Sequence, residues 1–292
     1  MKWTRPNQSK LDSQKSVIYV ELQGGLGNQL FQFANGVARS LYLNAPLQLD
    51  DHALVRDSLR EYSLQPWELV PRVKYQIVLE NEGLQFIEIP GSNSANIQII
   101  EEQSFHFTEI NEQLRQGNSY RFVGYWQSAL NFSPYQSELK KYLKGALISK
   151  NSDSRTSLHI RRGDFVKNPK TLAYHGILDF EYYVSAISLL DASTNFIDVI
   201  SDGFEEIQEL IAQLETATGK IFNLRTDLKD EILALSALAS SSQIIIANSS
   251  FSWWAAYLSD AKKVIAPRKY FSEKTLRLLN ISDLYPAGWV LI

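Results

Sequence analysis

The sequence predicts an α/β protein with two doubly wound halves, and three observations predict this class. Runs of β-branched residues alternate with amphipathic helical segments. A glycine-rich turn, QGGLGN, joins the first run to the first helical segment, and the polar stretch KNSDS at 150–154 separates a mixed first half from a more regular second half. Alternation of this kind is typical of parallel sheets that are wrapped by helices.

Composition and charge limit the class of function. Of the 292 residues, 45% are hydrophobic and 21% are charged, as in globular domains that bury a core. The formal net charge of -3 argues against a nucleic-acid-binding protein, so any bound anion must meet a local cationic cluster. The absence of cysteine excludes disulfides, thiolate nucleophiles and cysteine-ligated zinc.

Targeting signals are missing from the sequence. The N-terminal stretch MKWTRPNQSKLDSQKS lacks the apolar core of a signal peptide, and no apolar run is long enough to span a bilayer. We therefore expect a cytoplasmic protein without a transmembrane segment, in which any contact with the inner face of the membrane is peripheral. Residues 1–15 are polar and are predicted to form a flexible tail.

The first predicted domain, 16–152, opens on a strand, a turn and a helix. The strand is SVIYVEL, and the helix is predicted in QLFQFANGVARSLYL because Leu30, Phe33, Val37 and Leu41 recur at helical spacing. The region from about 60 to 150 has mixed apolar patterns and an aromatic segment, YRFVGYWQSALNFSPY. Its elements are not predicted.

The second predicted domain, 153–292, alternates strictly between the two kinds of element. The predicted helix LKDEILALSALASS is given Asp227 as its N-cap. Strands are predicted in TSLHI, NFIDVISD, KIFNL, QIIIANSS and KKVIAP, and the other helices in LDFEYYVSAISLL, GFEEIQELIAQLE and FSWWAAYLS.

Four polar turns follow strands of these two halves. They are Gly24–Asn28, Arg161–Asp164, Ser201–Gly203 and Asn248–Ser250. Because ligands of open parallel sheets bind outside the carboxyl ends of the strands, we expect the four turns to face one cleft between two domains.

Two of these turns suit an anion. A predicted N-cap serine at 249 or 250 begins a helix whose first backbone N–H groups and positive dipole end attract phosphate. Arg161 and Arg162 supply planar groups that can each hold two phosphate oxygens. The plainer alternative is that the arginines form structural ion pairs with Asp164 and that the serines only cap the helix.

Metal binding is not predicted. The chain contains no Asp-x-Asp, and Asp50-Asp51-His52 has no further ligands at a recognisable spacing. The glycine turn matches neither the P-loop nor the dinucleotide-binding fingerprint. If a diphosphate leaves from this site, arginine and the helix dipole must offset its charge, and no cofactor is expected.

Several motifs together resemble a known family. GGLGNQLFQFANG, GYWQS, HIRRGDF, SDG and IIIANSSFSWWAAYL, in this order and spacing, are similar to bacterial α-1,2-fucosyltransferases of glycosyltransferase family 11. The resemblance implies a GT-B fold, in which two Rossmann-like domains face a central cleft and the C-terminal one binds GDP-β-L-fucose. It also implies inverting, metal-independent transfer of fucose to the 2-hydroxyl of a terminal galactose on an oligosaccharide or lipid-linked glycan.

The resemblance also assigns residues to the donor. Arg161 and Arg162 match the arginine pair of the family, Arg162 is the first choice for the β-phosphate, and Asp164 is expected to orient the pair. His159 and Asp202 are expected to contact the nucleoside. The remaining donor-binding residues are Gly25, Gly27, Asn28, Asn248, Ser249, Ser250 and Phe251.

The acceptor side is less defined. Tyr125, Trp126, His175 and Tyr182 are expected to line it. The candidates for a general base are Glu21, His159, Asp164 and Asp202. Two alternatives remain: a transferase of the same scaffold with another linkage or GDP-sugar, such as an α-1,6-fucosyltransferase, or a non-catalytic nucleotide-sugar-binding protein.

Overall fold

The structure is a computed structural model that describes residues 16–57, 60–80, 83–90, 96–147 and 153–292. The side chains of Asp153, Ser154 and Asp164 lie outside this description, as do the predicted tail 1–15 and the end of the predicted first domain. The chain divides into two compact units. The first comprises Met1–Ala146 and Asn280–Tyr285, and the second Leu147–Leu279 and Pro286–Ile292. No sequence signal indicated the return of Asn280–Tyr285 to the first unit.

The first unit contains a six-stranded sheet in the order β4-β3-β2-β1-β6-β5. Strands β2, β1, β6 and β5 are parallel, whereas β3 and β4 form an antiparallel pair at one edge. The strands are β1 (Ile18–Glu21), β2 (Leu47–Asp50), β3 (Lys74–Glu80), β4 (Gly83–Ile89), β5 (Ile97–Glu101) and β6 (Ser119–Val123). The helices are α1 (Leu26–Leu43), α2 (His52–Arg56) and α3 (Gln136–Lys144), with 3₁₀ turns at Gln65–Trp67, Asn111–Gln113 and Ala129–Tyr135.

Helix α1 packs closely on the sheet of the first unit. A Cβ at Gly36 would lie 2.5 Å from the Val20 side chain, so only glycine permits this distance between helix and strand. The helix is buried along almost its whole length, and its buried polar side chains include Gln32, Asn35 and Arg39. Gln32 and Arg39 bond to residues outside the helix, as described below.

The second unit contains six parallel strands in the order β12-β11-β10-β7-β8-β9. They are β7 (Asp153–Ile160), β8 (Phe196–Ser201), β9 (Ile221–Leu224), β10 (Ser241–Ile245), β11 (Lys263–Ala266) and β12 (Val290–Leu291). The helices are α4 (Gly163–Lys167), α5 (Pro169–His175), α6 (Phe180–Ser188), α7 (Gln208–Thr218), α8 (Glu231–Ala239), α9 (Ser250–Leu258) and α10 (Glu273–Leu276). Counted from β7, this is the strand order of a doubly wound dinucleotide-binding sheet.

Most elements predicted in the second half are confirmed. Leu158, Ile160, Val199 and Ile245 lie in the core of this unit, as apolar runs in parallel strands require. One detail is wrong: α8 begins at Glu231 and is capped by Asp230, whose carboxylate accepts from the N–H groups of Ile232 and Leu233. The predicted cap, Asp227, instead forms an ion pair with Arg225 at 2.8 Å.

Two helix-wrapped sheets confirm the predicted α/β class with two Rossmann-like units. The cleft between two domains stays a prediction. No helix within the described ranges combines the length and the apolar character that crossing a bilayer would need.

Candidate functional site

The centre of the second sheet carries the main candidate site. Strands β7 and β10 are neighbours, but β7 continues to β8 on one side and β10 to β11 on the other. This is the topological switch point, where connections diverge and a crevice opens at the carboxyl ends of the strands. The turn that begins with Arg161 follows β7, and Asn248–Ser250 follows β10. The fold therefore places two of the four predicted turns at one position.

Arg161 is held from two directions. Its Nη1 lies 2.9 Å from Asp202 Oδ2, and its Cζ lies 5.3 Å from the centroid of the Phe165 ring. An ion pair and a cation–π contact fix the guanidinium without removing it from solvent, because 18% of the side chain remains exposed. Arg161 is thus a pre-oriented, accessible cation.

Arg162 has a different role. Its backbone N–H donates to Asp202 Oδ1 at 2.8 Å, and its guanidinium donates to the carbonyls of Arg161 at 3.0 Å and Leu178 at 3.1 Å. The residue is only 7% exposed. The Arg162 guanidinium thus bonds to the backbone around the turn, and Arg161 is the more exposed of the two arginines.

Asp202 joins the two arginines. One carboxylate oxygen accepts from the Arg162 backbone and the other pairs with the Arg161 side chain. A Cβ at Gly163 would lie 2.0 Å from Asp202 Oδ2, so the glycine makes room for the carboxylate. Asp202 therefore orients the arginines, a role predicted for Asp164, whose side chain lies outside the described residues. The contact of Asp202 with the nucleoside stays a prediction.

His159 is buried beside this turn. It is 2% exposed, its ring lies 5.5 Å from that of Phe251, and its Nδ1 has no hydrogen-bond partner among the described residues. Burial, and secondarily the charge of Arg161, lower its pKa to about 3. His159 is therefore neutral at physiological pH, and it can make a hydrogen bond to a ligand but is a poor proton acceptor.

The start of α9 completes the site in the second unit. Ser249 is the N-cap with extended backbone, its side chain makes no capping bond in the described structure, and Ser250 and Phe251 are the first two helical residues. The Asn248 amide is buried and donates to the carbonyls of His175 at 3.2 Å and of Gly176 and Tyr270 at 3.4 Å. Asn248 thus ties two other loops to the helix start, which aims its N–H groups at the switch point.

The first sheet has its own switch point, between β1 and β6. Glu21 ends β1, Gly25 is the N-cap of α1, Gly27 lies in its first turn, and Gly24 takes the positive φ of 76° that the turn needs. Asn28 Oδ1 accepts from Gln127 Nε2 at 2.7 Å, so the glycine turn is bonded to the GYWQS turn after β6. Gln32 adds a second link, since its Nε2 donates to the Gly124 carbonyl at 3.0 Å.

Comparison with known proteins decides the family, because the model of glycosyl transferase family 11 matches residues 1–292. The chain belongs to glycosyl transferase family 11. It is 28% identical to an alpha-1,2-colitosyltransferase of Escherichia coli, with 95% of this chain and 99% of the relative covered. It is 26% identical to the O-antigen biosynthesis glycosyltransferase WbnK of Escherichia coli, with 94% and 99% covered. Among solved structures, the fucosyltransferase NodZ from Bradyrhizobium aligns with 85% of this chain and 94% of its own, at 11% identity and a TM-score of 0.43.

The predicted acceptor residues of this family 11 glycosyltransferase fall in different places. Tyr125 is partly exposed, whereas Trp126 is buried at 4% exposure. The ring of His175 stacks between Phe165, at 4.6 Å, and Phe271, at 5.4 Å, which makes it part of an aromatic column behind Arg161.

Tyr182 is a buried residue of the second unit. It lies in the hydrophobic core of the second unit, and its hydroxyl donates to the Ile246 carbonyl at 2.7 Å. Its ring and hydroxyl are both engaged inside the unit, so the structure gives it a packing role in place of the predicted acceptor contact.

One group of residues in the described ranges has the spacing of a cation site: Asp50, Asp51 and His52. The side chain of Arg121 pairs with Asp50, and Arg72 Nε lies 2.7 Å from Asp51 Oδ1. Burial alone would raise the pKa of Asp50, but hydrogen bonds from Arg121 and His52 outweigh it and lower the pKa. The cluster is thus a network of ion pairs whose carboxylates already have cationic partners.

Proposed function

We propose that this family 11 glycosyltransferase transfers L-fucose from GDP-β-L-fucose to the 2-hydroxyl of a terminal galactose, with inversion and without a metal ion. The acceptor is an oligosaccharide or a lipid-linked glycan. One observation carries the proposal: Arg161, held by Asp202 and Phe165, lies at the switch point of the second sheet, where the start of α9 also lies. A fixed cation beside a helix N-terminus suits a diphosphate.

The proposed mechanism follows from charge. As the bond between the sugar and the diphosphate lengthens, negative charge builds on the leaving phosphate and positive charge on the sugar. Groups that are already oriented toward the leaving phosphate stabilise this transition state more than the ground state. Arg161 and the first N–H groups of α9 supply this stabilisation, and Arg162 holds the turn in shape from behind.

The proton of the acceptor hydroxyl needs a destination. His159 is a weak base because its pKa is about 3, and the Asp202 carboxylate holds Arg161 and the backbone N–H of Arg162 in place. Glu21, at the carboxyl end of β1, is therefore the candidate left among the described side chains. A loose transition state, in which the departing phosphate takes the proton late, is the alternative. A pH–rate profile that lacks an ascending limb and is unchanged in Glu21→Gln would favour this alternative.

The identity of the donor sugar has a second candidate. The family relative named an alpha-1,2-colitosyltransferase covers nearly the whole chain at 28% identity and supports the α-1,2 linkage. Colitose differs from fucose only by the loss of the 3-hydroxyl, so one hydrogen bond in the sugar pocket decides between them. GDP-colitose is therefore the donor to compare directly with GDP-fucose.

The proposed reaction is tested with purified protein in excess EDTA. We expect sugar transfer from GDP-fucose to a galactoside, with the 1→2 linkage identified by NMR, and much slower use of GDP-mannose and UDP-galactose. Greater kcat/KM with GDP-colitose would assign the second donor. Hydrolysis and transfer absent with every donor, despite GDP binding, would instead indicate a non-catalytic nucleotide-sugar-binding protein.

The role of Arg161 is tested by comparison with its neighbour. Arg161→Lys loses the planar donor and should lower kcat by roughly a hundredfold, or about 3 kcal/mol of transition-state stabilisation. Arg162→Lys should mainly lower the free energy of unfolding, because two backbone carbonyls lose their partner. Arg225→Lys, on the same sheet and also ion-paired, is the control. A normal kcat in Arg161→Lys would refute the assignment.

A further inference from the structure

A cavity of about 210 Å³ lies in the first unit, at the carboxyl ends of β5 and β6. Ile100, Glu102, Phe107, Gln113, Trp126 and Asn131 are among the residues that line it. It has room for one pyranose ring. The diphosphate site proposed at Arg161 and the start of α9, in the second unit, contains none of these residues.

Trp126 is held in a strained conformation beside this cavity. Its φ of 57° lies in the left-handed region, which is costly for a residue with a large side chain. Its N–H donates to Glu102 Oε1 at 2.9 Å, and its carbonyl accepts from Ser128 N at 2.8 Å and Asn131 Nδ2 at 3.2 Å. Strain that is maintained by bonds on both sides of a residue is typical of functional sites.

A buried cation supports this arrangement from behind. Arg39 is fully buried and donates to three neutral amide oxygens, those of Asn35 at 3.1 Å, Asn111 at 2.6 Å and Asn131 at 3.2 Å. Burial lowers its pKa to about 9, so it is still charged at neutral pH. The network fixes Asn131, which lines the cavity and holds the carbonyl of Trp126.

A segment from the far end of the chain fixes the opposite wall. Asp283 Oδ2 accepts from the backbone N–H of Phe107 at 2.6 Å and from Ser128 Oγ at 3.2 Å. Phe107 lines the cavity, and Ser128 is bonded to Trp126. The return of Asn280–Tyr285 to the first unit therefore braces the cavity.

Two polar groups beside the cavity retain hydrogen-bonding capacity. The indole Nε1–H of Trp126 is buried and has no partner among the described residues. Each Glu102 oxygen accepts one backbone N–H, from Tyr125 at 2.8 Å and Trp126 at 2.9 Å, and so keeps a second lone pair. Both residues line the cavity, and Glu102 Oε2 and Trp126 Nε1 lie close to each other, 2.9 and 3.3 Å from the position that a Cβ on Gly124 would take.

The lining selects the class of ligand. It includes two glutamates, Glu101 and Glu102, and none of its described residues is a lysine or arginine. Phosphate would be repelled from such a surface, whereas a neutral ring with several hydroxyls can donate to carboxylates and amide oxygens and rest its C–H groups on aromatic side chains. Arg161, by contrast, is a cation that attracts an anionic ligand.

We propose that this cavity is a sugar subsite that binds one neutral pyranose ring of the acceptor, with Glu102 accepting from its hydroxyls and Trp126 donating to one of them. The proposal rests on the proposed function, because it assigns the ring to the acceptor of that reaction. Glu102 and Trp126 are then determinants of acceptor affinity, and the leaving-group chemistry is independent of them.

The variants Glu102→Gln and Trp126→Phe test the subsite, with Glu88→Gln and Trp67→Phe as controls. Glu88 is an exposed residue of β4, and the indole N–H of Trp67 is already satisfied by the Leu143 carbonyl at 2.9 Å. With lactose as acceptor, KM should rise about tenfold to a hundredfold in both test variants, since each loses a buried bond to a hydroxyl. Hydrolysis of GDP-fucose without acceptor, and its KM, should stay within about twofold.

A direct binding measurement separates this proposal from the proposed function. Saturation-transfer NMR of methyl β-D-galactopyranoside with nucleotide-free wild-type protein should show contact that Trp126→Phe removes and Trp67→Phe retains. Absence of contact in wild type, unchanged acceptor KM in the test variants, or preferential binding of inorganic phosphate or glucosamine would each overturn the subsite. Contact that depends on Trp126 in a protein that transfers no sugar would support the subsite and refute the proposed function.

Discussion

Substitution of Asp202 tests whether this carboxylate orients the two arginines of the turn Arg161–Asp164. In Asp202→Asn the remaining carbonyl oxygen still accepts from the backbone N–H of Arg162, but the negative charge opposite Arg161 is lost. In Asp202→Ala both bonds are lost, and the Arg162 N–H is left without this acceptor. The two variants therefore separate the charge from the hydrogen bond.

The expected magnitudes follow from exposure. Hydrogen bonds to charged groups contribute about 1.5–3 kcal/mol, and exposed ion pairs only about 0–1 kcal/mol. The Arg161 and Asp202 side chains are 18% and 27% exposed. We therefore expect Asp202→Asn to lower the free energy of unfolding by about 1 kcal/mol and Asp202→Ala to lower it by about 2–3 kcal/mol. Because Phe165 still contacts Arg161 in both Asp202 variants, their kcat should fall by roughly tenfold to a hundredfold. This loss is smaller than the loss expected when the Arg161 side chain is removed.

A second ion pair, formed by Asp198 on the strand that precedes Asp202, provides the control. Asp198 Oδ2 lies 3.2 Å from Arg225 Nη1, and Oδ1 accepts from Asn223 Nδ2 at 2.8 Å. Its side chain is 16% exposed. Asp198→Asn should therefore lower stability by a similar amount, measured by urea unfolding, while sugar transfer remains at the wild-type rate. If Asp202→Ala lost stability as predicted but kept wild-type kcat, the orienting role of Asp202 would be wrong.

Two further variants test individual assignments. His159 is neutral in the folded protein because its pKa is about 3, whereas a histidine in the unfolded chain has a pKa of about 6.5. Between these two values the unfolded state binds more protons, so the free energy of unfolding falls as the pH drops from about 6.5 toward 3. His159→Gln should reduce the loss in free energy of unfolding between pH 7 and pH 5 by up to about 2 kcal/mol, measured by urea unfolding at both pH values. The same loss in this variant as in wild type would contradict a buried, neutral His159 ring. Tyr182→Phe removes the bond to the Ile246 carbonyl and should cost about 1 kcal/mol of stability with no change in acceptor KM, whereas a raised KM would restore its predicted acceptor role.

The fold of the second half was predictable because its central strands, β7 and β10, are buried on both faces. Such strands appear as continuous apolar runs, and the helices between them have clear caps and faces. The first half was predictable only at β1 and α1. Strands β4 and β5 consist mostly of partly buried and exposed positions, and β3 and β4 form an antiparallel edge, so their sequences lack the buried apolar run of a central parallel strand.

The members of the site were easier to predict than their roles. Arg161 and Arg162 are adjacent in one turn, and only tertiary contacts decide that one binds carbonyls and the other remains accessible. Glu102 was not predicted because EEQS carries no motif, and its partners are the backbone N–H groups of Tyr125 and Trp126, far along the chain. The GYWQS motif contains Tyr125 and Trp126, but it does not contain Glu102, the carboxylate that accepts from their backbone N–H groups.

The two units use their strand ends for opposite chemistry. At the switch point of the second unit, Arg161 remains accessible and His159 is kept neutral, so the local charge favours an anion. In the first unit, a cavity with Glu101 and Glu102 in its lining favours a neutral ligand rich in donors. Glycosyl transfer from a sugar nucleotide needs both, because the donor carries a diphosphate and the reacting group of the acceptor is a neutral hydroxyl. The carboxylates of the first unit therefore disfavour the diphosphate that is proposed for the second.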